Sequence, residues 1–567
     1  MAFLAVSPTT RVLEIPELLH MIFGFLGDPS NAANACVCKR WNSIALDTLW
    51  SEVEDLHRLF GLLGPLKQLG DSPDAPYAFI ANPDADDWRR FTKYSARVRR
   101  LFFHAESGLL RLSPTVFEDV ARTRTSLNIL PNVNTLSWAG PLSLAVMFMH
   151  ANVKRFVLWL PDKFAVPDLP LQPQYDLLPF FRDVASRMPN LTYLDLRTNM
   201  PMHDMEVDLI FLLRSLAKLR KVVFPRFECT TRIAETLAQL PDLGTLEFQY
   251  VPEQGLGDPS DTHVFRPTLA MGAFPSLWDL SLTISLNDGV QFMRNSFAPT
   301  NLTALYFDSY LVESPAVVHE LLSLLAETCH LLESLGIVTL IGPNSPNEER
   351  INFSTLRPLL NFPNLLIFEI IHQNPLDLTL EDLDQLARSW PSLKKLILNN
   401  EPAVSEHSTL TLQALLPFAR HCPEIEQLGL FINASTADLP SSPTNFTSSY
   451  QSLPFGKLKR LSMGVSLLED AGAVALFLSQ LCPLGTHIEY GVTWETDALI
   501  ESLLDAMVNR CEKWRKVEEL LPLLTRLRMQ ERERTRLLGV EVQDLRMRSG
   551  VLMDTVDRRG GDSCVVV

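Results

Sequence analysis

Cysteine is scarce in this chain. Eight in 567 residues are too few for a disulfide scaffold. No pair has CxxC spacing, and Cys36 and Cys38 stand as a lone CxC without a second cysteine or histidine pair, so no metal site is expected. Long apolar runs are missing too: no stretch of about 18 uncharged apolar residues occurs, so no transmembrane helix is expected. The opening MAFLAVSPTTRVLEIPELL has no basic stretch ahead of an apolar run, so no secretory signal is expected. The expected compartment is a reducing one, cytoplasmic and/or nuclear. Basic charge falls short of acidic charge, 50 residues against 66 for a net of −16, which argues against a general nucleic-acid binder. Catalytic signatures are absent: no GxSxG, no HExxH, no P-loop and no GxGxxG after a strand. Neither an enzymatic activity nor a cofactor is expected. With 46% hydrophobic and only 20% charged residues, the chain is not a disordered one.

One pattern recurs: a Pro, Asn or Cys followed by L-x-x-L-x-L. It reads PNLTYLDL from Pro189, PDLGTLEF from Pro241, PSLWDLSL from Pro275, PNLLIFEI from Pro363, PSLKKLIL from Pro391 and CPEIEQLGL from Cys422. Weaker copies start at Val98, Val133, Val153, Leu219, Leu302, Leu332 and Leu458. Steps of 20 to 38 residues between copies match leucine-rich repeats, with one short strand and one helix or 3₁₀ segment per unit. The segments between copies carry helical spacing, as in Leu209, Leu212, Leu213 and Leu216, then Val317, Leu321, Leu324 and Leu325, then Leu380, Leu383, Leu386 and Trp390. Such units stack into a solenoid with a parallel inner sheet, and thirteen copies speak against an ordinary doubly wound α/β domain. Proline-rich or polar stretches at 161–179, 252–267, 342–350 and 435–454 read as loops inserted between repeats.

Residues 11–50 differ in kind. Pro16 opens a helix carrying Leu18, Leu19, Ile22, Phe23 and Leu26. A Gly-Asp-Pro-Ser break follows at 27–30, then a second helical stretch with Ala33, Val37, Trp41 and Ile44, closing on Leu49-Trp50. Forty residues cannot bury this many apolar groups alone, so they dock on the repeats, on a partner, or on both. The pattern Ile15-Pro16, Leu18-Leu19, Ile22-Phe23, Leu26, Val37-Cys38, Trp41 and Leu49-Trp50 resembles an F-box, with Ile15 where the motif usually carries leucine. The segment Asp87-Trp88-Arg89-Arg90-Phe91, Tyr94 and Arg97-Val98-Arg99-Arg100-Leu101 is similar to the junction in fungal F-box/leucine-rich-repeat proteins. The resemblance implies a three-helix domain that binds the adaptor Skp1, which connects it to a cullin–RING ubiquitin ligase while the repeats present an as yet unnamed protein substrate. By it, Ile15, Pro16, Leu18, Leu19, Ile22, Phe23, Leu26, Val37 and Trp41 form the adaptor-binding surface or its support. The rival reading is a non-ligase scaffold that holds two proteins together through the F-box and the solenoid.

In L-x-x-L-x-L the last two apolar side chains point into the core, so the residues beside them are expected on the concave face. These are Tyr193, Asp195, Arg197, Lys221, Thr245, Glu247, Asp279, Tyr306, Asp308, Glu369, Lys395, Asn399 and Phe431, with Tyr306 and Phe431 as exposed aromatics. Solenoids commonly bind partners on this face. Toward the C-terminus, Leu499, Ile500, Leu503, Leu504, Met507, Cys511 and Trp514 form an apolar helical face that is expected to close the solenoid. Leu524, Leu527, Leu538 and Leu545 follow at a/d spacing, interrupted by Glu531, Arg534 and Glu541, which reads as a charged exposed helix first and a partner helix second. The last four residues, Cys564-Val565-Val566-Val567, have the form of a prenylation box on Cys564, and membrane association is expected only if that box is used. The expected fold class is therefore α/β: an F-box over 11–55, a junction over 56–95, a leucine-rich-repeat solenoid over 96–495, capping and charged helices over 496–548, and a flexible tail over 549–567.

Overall fold

A computed structural model describes residues 12–72, 75–104, 111–160, 177–339, 349–404, 408–435, 454–494 and 501–560. The chain divides into two compact units, one comprising 1–284 with 288–302 and the other 285–287 with 303–567.

The first unit begins with three helices: α1 (Pro16–Gly24), α2 (Asp28–Asn34) and α3 (Lys39–Trp50). A parallel ladder follows, of β1 (Glu52–Val53), β2 (Arg100–His104), β3 (Thr135–Ala139), β4 (Arg155–Trp159), β5 (Tyr193–Arg197), β6 (Lys221–Phe224), β7 (Thr245–Phe248) and β8 (Asp279–Leu282). Each strand pairs with the next in sequence, and most steps cross over through a helix. These include α4 (Ala85–Ser95), α5 (Pro114–Thr123), α6 (Leu177–Arg187), α7 (Glu206–Ser215) and α8 (Thr231–Leu237). The register aligns one apolar column through the unit: Val53, Leu101, Leu136, Phe156, Leu194, Val222, Leu246 and Leu280 sit side by side, and all are buried.

The second unit repeats the plan with β9 (Ala304–Asp308), β10 (Ser334–Thr339), β11 (Ile367–His372), β12 (Lys395–Leu398), β13 (Gln427–Leu430), β14 (Arg460–Gly464) and β15 (His487–Tyr490). Its helices include α9 (Pro315–Thr328), α10 (Leu380–Ser389) and α11 (Ala471–Leu481). Its column runs Leu305, Leu335, Phe368, Leu396, Leu428, Leu461 and Ile488, again buried throughout. A period-2 strand presents one such residue per repeat, and stacking the repeats removes the whole column from water.

A backbone device recurs with the pattern. One carbonyl just ahead of a strand accepts from two successive N–H groups of the next unit, as Leu366 does from Lys394 and Lys395 at 2.8 and 3.0 Å and Lys394 from Glu426 and Gln427 at 2.7 and 3.0 Å. The same arrangement links Ser51, Arg99, Asn134, Lys154, Thr192 and Arg220 to the units that follow them. The fold is thus α/β, with an N-terminal helical module, a solenoid-like parallel sheet and a C-terminal helix.

That helix, α12 (Glu501–Gly560), is continuous for 60 residues through Pro522, about 90 Å at 1.5 Å per residue. It is a single helix where capping and charged helices were expected over 496–548, and it extends past 548, where a flexible tail was expected to begin. Trp514, Val517, Leu521 and Thr525 are buried, and His487 of β15 pairs with Glu518 at 2.6 Å. Cys564 lies outside the described residues.

At the end of β14 the chain turns at Gly464, with φ at +50°. A Cβ there would lie 2.0 Å from the Asn400 carbonyl oxygen. Gly464→Ala is expected to lower unfolding stability by about 2 kcal/mol or more, combining left-handed strain with a backbone clash; the urea midpoint of the full chain measures it.

Candidate functional site

The N-terminal module sorts its apolar residues into two groups. Leu19 and Phe23 of α1, one helical turn apart, pack with Ile44 and Ala45 of α3 into a core flanked by Leu13, Ala35 and Trp41. The Phe23 and Trp41 rings meet edge to face at 5.4 Å. Asn31 of α2 is buried, and its side-chain amide donates to the Phe23 and Leu26 carbonyls, both at 3.0 Å. These bonds reach carbonyls at and just beyond the C-terminus of α1 and fix α2 against it. The Asn42 amide donates to the Ala35 carbonyl at 2.8 Å, tying α3 to the end of α2. At the other end Leu49 and Trp50 are buried. Trp50 meets Tyr94 of α4 edge to face at 5.6 Å, and the Arg58 guanidinium lies 4.8 Å above its ring. The Arg97 guanidinium bonds the Ser43 carbonyl at 3.0 Å and pairs with Asp47. The module is therefore seated on the segment that follows it.

The second group faces outward. Ile15 is 42% exposed, Met21 61%, Ile22 38%, Phe25 88%, Leu26 40% and Val37 61%. The structure therefore separates the nine residues the resemblance pointed to: Leu19 and Phe23 are core, Leu18 and Trp41 are half-buried, and Ile15, Pro16, Ile22, Leu26 and Val37 are exposed. Met21 and Phe25, outside those nine, are exposed as well. They lie four residues apart, Met21 on α1 and Phe25 at its C-terminal cap, away from the Leu19–Phe23 pair, and apolar residues on more than one face were the available signal.

The sheet-face residues divide as well. Tyr193, Arg197, Lys221, Glu247, Asp279, Tyr306, Glu369 and Lys395 are half-buried, whereas Asp195, Thr245, Asp308, Asn399 and Phe431 are buried. Phe431, expected as an exposed aromatic, is 4% exposed. It and Asn399 sit one residue beyond their strands, where alternation no longer applies; Asn399 has φ at +47°, and its side chain bonds the His372 N–H and the Asn374 carbonyl at 3.0 and 2.7 Å. Asp195 is covered by the inserted stretch at 252–267. The Gln254 amide donates to its carboxylate at 3.1 Å and to the Leu196 carbonyl at 2.7 Å.

The accessible part is laced with local pairs. The Arg155 guanidinium stacks 3.7 Å from the Tyr193 ring and that of Arg197 lies 5.1 Å from Trp159. Lys221 pairs with Glu247 at 2.8 Å and Lys395 with Glu369 at 2.6 Å. Tyr306 lies across Gly336, where a Cβ would fall 2.1 Å from its ring. Burial, then the Glu247 charge, pushes the Asp279 carboxyl up to about 6, against the pull of Lys221. A raised folded value favours the proton-bound form. Stability from this group is therefore full below pH 3.8 and falls as pH rises through about 6. Asp279→Asn is expected to gain stability relative to the native chain across that window and level off above it; thermal midpoints at several pH values check the sign.

Among the described residues, no group of three His, Cys, Asp or Glu side chains could hold a metal ion, and no helix is long and apolar enough to cross a membrane. Cys329, Cys422 and Cys482 are buried. Burial pushes the last two thiols up to about 12, so they pack as small apolar groups rather than as nucleophiles.

Comparison with known proteins bears on the helical module. No curated protein matches the chain. Among solved structures, a crystal structure of the Rad7 and Elc1 complex in yeast is similar over 77% of this chain and 93% of that chain, at 13% identity and a TM-score of 0.37. A TLR13–ssRNA13 complex is similar over 73% and 57% at 14% identity and a TM-score of 0.33. A family model described as F-box-like matches residues 16–54, the span of α1, α2 and α3, and an F-box implies a role in binding the adaptor of SCF-type ubiquitin ligases. The helical module that precedes the sheet is an F-box-like domain.

Proposed function

We propose that this protein is a substrate-recognition subunit of a Skp1–cullin–F-box ubiquitin ligase, with no catalytic step of its own, acting in the cytoplasm and/or nucleus. The observation that carries this reading is the exposed apolar set Ile15, Met21, Ile22, Phe25, Leu26 and Val37 on a module whose core is already filled by Leu19, Phe23, Ile44 and Ala45. Several large apolar side chains left exposed on a folded domain support a protein-binding surface. The strand–helix units are leucine-rich repeats in this reading, and the half-buried strand residues of each unit, Tyr193, Arg197, Lys221, Glu247 and Asp279 in the first and Tyr306, Glu369 and Lys395 in the second, are the candidate substrate contacts. Arginine and tyrosine, enriched at binding hot spots, support that assignment.

Affinity capture of the full chain tests the proposal. Skp1 and a cullin are expected in the complex, and further bound partners are expected to accumulate when the proteasome is blocked. Capture of Skp1 by a chain lacking residues 1–55 sinks the F-box assignment. Skp1 without cullin, with partner levels unchanged by the block, turns the reading to a scaffold.

A further inference from the structure

We propose that the N-terminal rim of the first unit's sheet binds a polyproline-II peptide whose Asp or Glu recurs at every third residue. The strand register aligns Arg100, Thr135, Arg155, Tyr193 and Lys221 at the starts of β2 to β6. The residues just ahead of them, Arg99, Asn134, Lys154, Thr192 and Arg220, form a second row at the rim. In that row a long cationic side chain stands on every second strand, with a short polar one between. Arg99, Lys154 and Arg220 are all exposed. Their spacing is fixed by the backbone, because the Arg99, Asn134, Lys154 and Thr192 carbonyls each accept from two N–H groups of the next unit.

Neighbouring strands lie about 4.8 Å apart, so the three cations stand about 9.6 Å from one another. A polyproline-II chain rises about 3.1 Å per residue with three residues per turn, which brings every third side chain to the same face about 9.3 Å further on. Carboxylates at i, i+3 and i+6 thus meet Arg99, Lys154 and Arg220 in turn. Among the described residues no carboxylate pairs with any of the three, whereas Arg100 pairs with Glu52 and Lys221 with Glu247. The Arg155 guanidinium, beside Lys154, adds a fourth positive charge. In a chain of net charge −16 this run is a local reversal of sign, and it attracts an acidic partner. Glu52 at one end, with Glu247 and Asp279 at the other, bound the run. A short acidic segment fits between them, and a continuous polyanion such as a nucleic-acid strand is repelled. As a feature of the substrate the peptide rests on the adaptor reading above, but its binding is measured without Skp1, so the two readings fail separately.

Fluorescence anisotropy of a dye-labelled peptide, Glu-Pro-Pro-Glu-Pro-Pro-Glu, titrated with the full chain in about 50 mM salt tests this. Exposed charge pairs are individually weak, so a Kd of about 100 µM is expected. The regrouped peptide Glu-Glu-Glu-Pro-Pro-Pro-Pro, of the same charge and composition, is expected to bind about fivefold more weakly. Lys154→Glu and Arg220→Glu are each expected to weaken the spaced peptide about tenfold with the circular dichroism of the native chain. Lys457→Glu makes the same charge change at an exposed position of the second unit and is expected to leave binding unchanged. No binding by the native chain, equal affinity for the regrouped peptide, or an equal loss in Lys457→Glu overturns the proposal. Oligothymidylate that binds more tightly than the peptide, and loses affinity in the same two variants, overturns it in favour of a nucleic acid.

Discussion

Ile22→Asp with Phe25→Asp is expected to weaken adaptor capture about 100-fold or more while leaving the module folded. Phe25 is 88% exposed and Ile22 38%, and neither belongs to the core of Leu19, Phe23, Ile44 and Ala45. Large aromatic and aliphatic anchors at the centre of an interface dominate its affinity, and a charge buried against an apolar partner surface adds a desolvation cost. Leu19→Ala and Phe23→Ala are expected to reduce capture by a different route. Both residues are in the core, and truncating them costs about 2–5 kcal/mol of folding stability. Circular dichroism separates the two classes: the outward pair keeps the native helical signal and melting curve, the inward pair does not. Capture unchanged by the outward pair moves the adaptor surface off α1.

Trp514→Ala is expected to destabilise the second unit by about 3–5 kcal/mol, the range for removing a fully buried large aromatic. The ring is fully buried, and its Nε1 donates to the Ser466 carbonyl at 2.9 Å. Arg510 and Lys513 bond the neighbouring Val465 and Leu468 carbonyls at 3.1 and 3.0 Å. One helical stretch thus satisfies three backbone acceptors that follow β14. Trp514→Phe retains most of the packing and loses the hydrogen bond, for which about 1 kcal/mol is expected. Chemical denaturation of the two variants beside the native chain reads the difference, and equal losses would mean that the hydrogen bond dominates the contact.

The nine positions that suggested adaptor binding were legible because the motif is local. Proline at the helix start, paired leucines and a closing tryptophan lie within forty residues. Which of them face outward was not legible, because α1 is apolar around more of its circumference than one partner helix covers. Phe25 and Met21 read as helical apolar residues like Leu19 and Phe23. Only the placement of α3, carrying Ile44 and Ala45, and the Asn31 bonds to the end of α1 distinguish them.

By itself the sequence determined the repeat, its strand–helix alternation and the column of large apolar residues. Each follows from the local periods of 2.0 and 3.6, and in-register stacking is the arrangement that buries such a column without a gap. Tertiary structure alone decided which sheet-face residues meet water. Alternation assigned Asp195, Asn399 and Phe431 to an open face. Gln254, about sixty residues away in the chain, covers Asp195, while Asn399 and Phe431 lie where the strand has already ended and the backbone turns inward. Tertiary structure likewise decided where α12 stops being part of the fold: its apolar residues recur to the end, but the surface of β15 and α11 that shelters Trp514, Val517 and Leu521 does not extend as far as the helix.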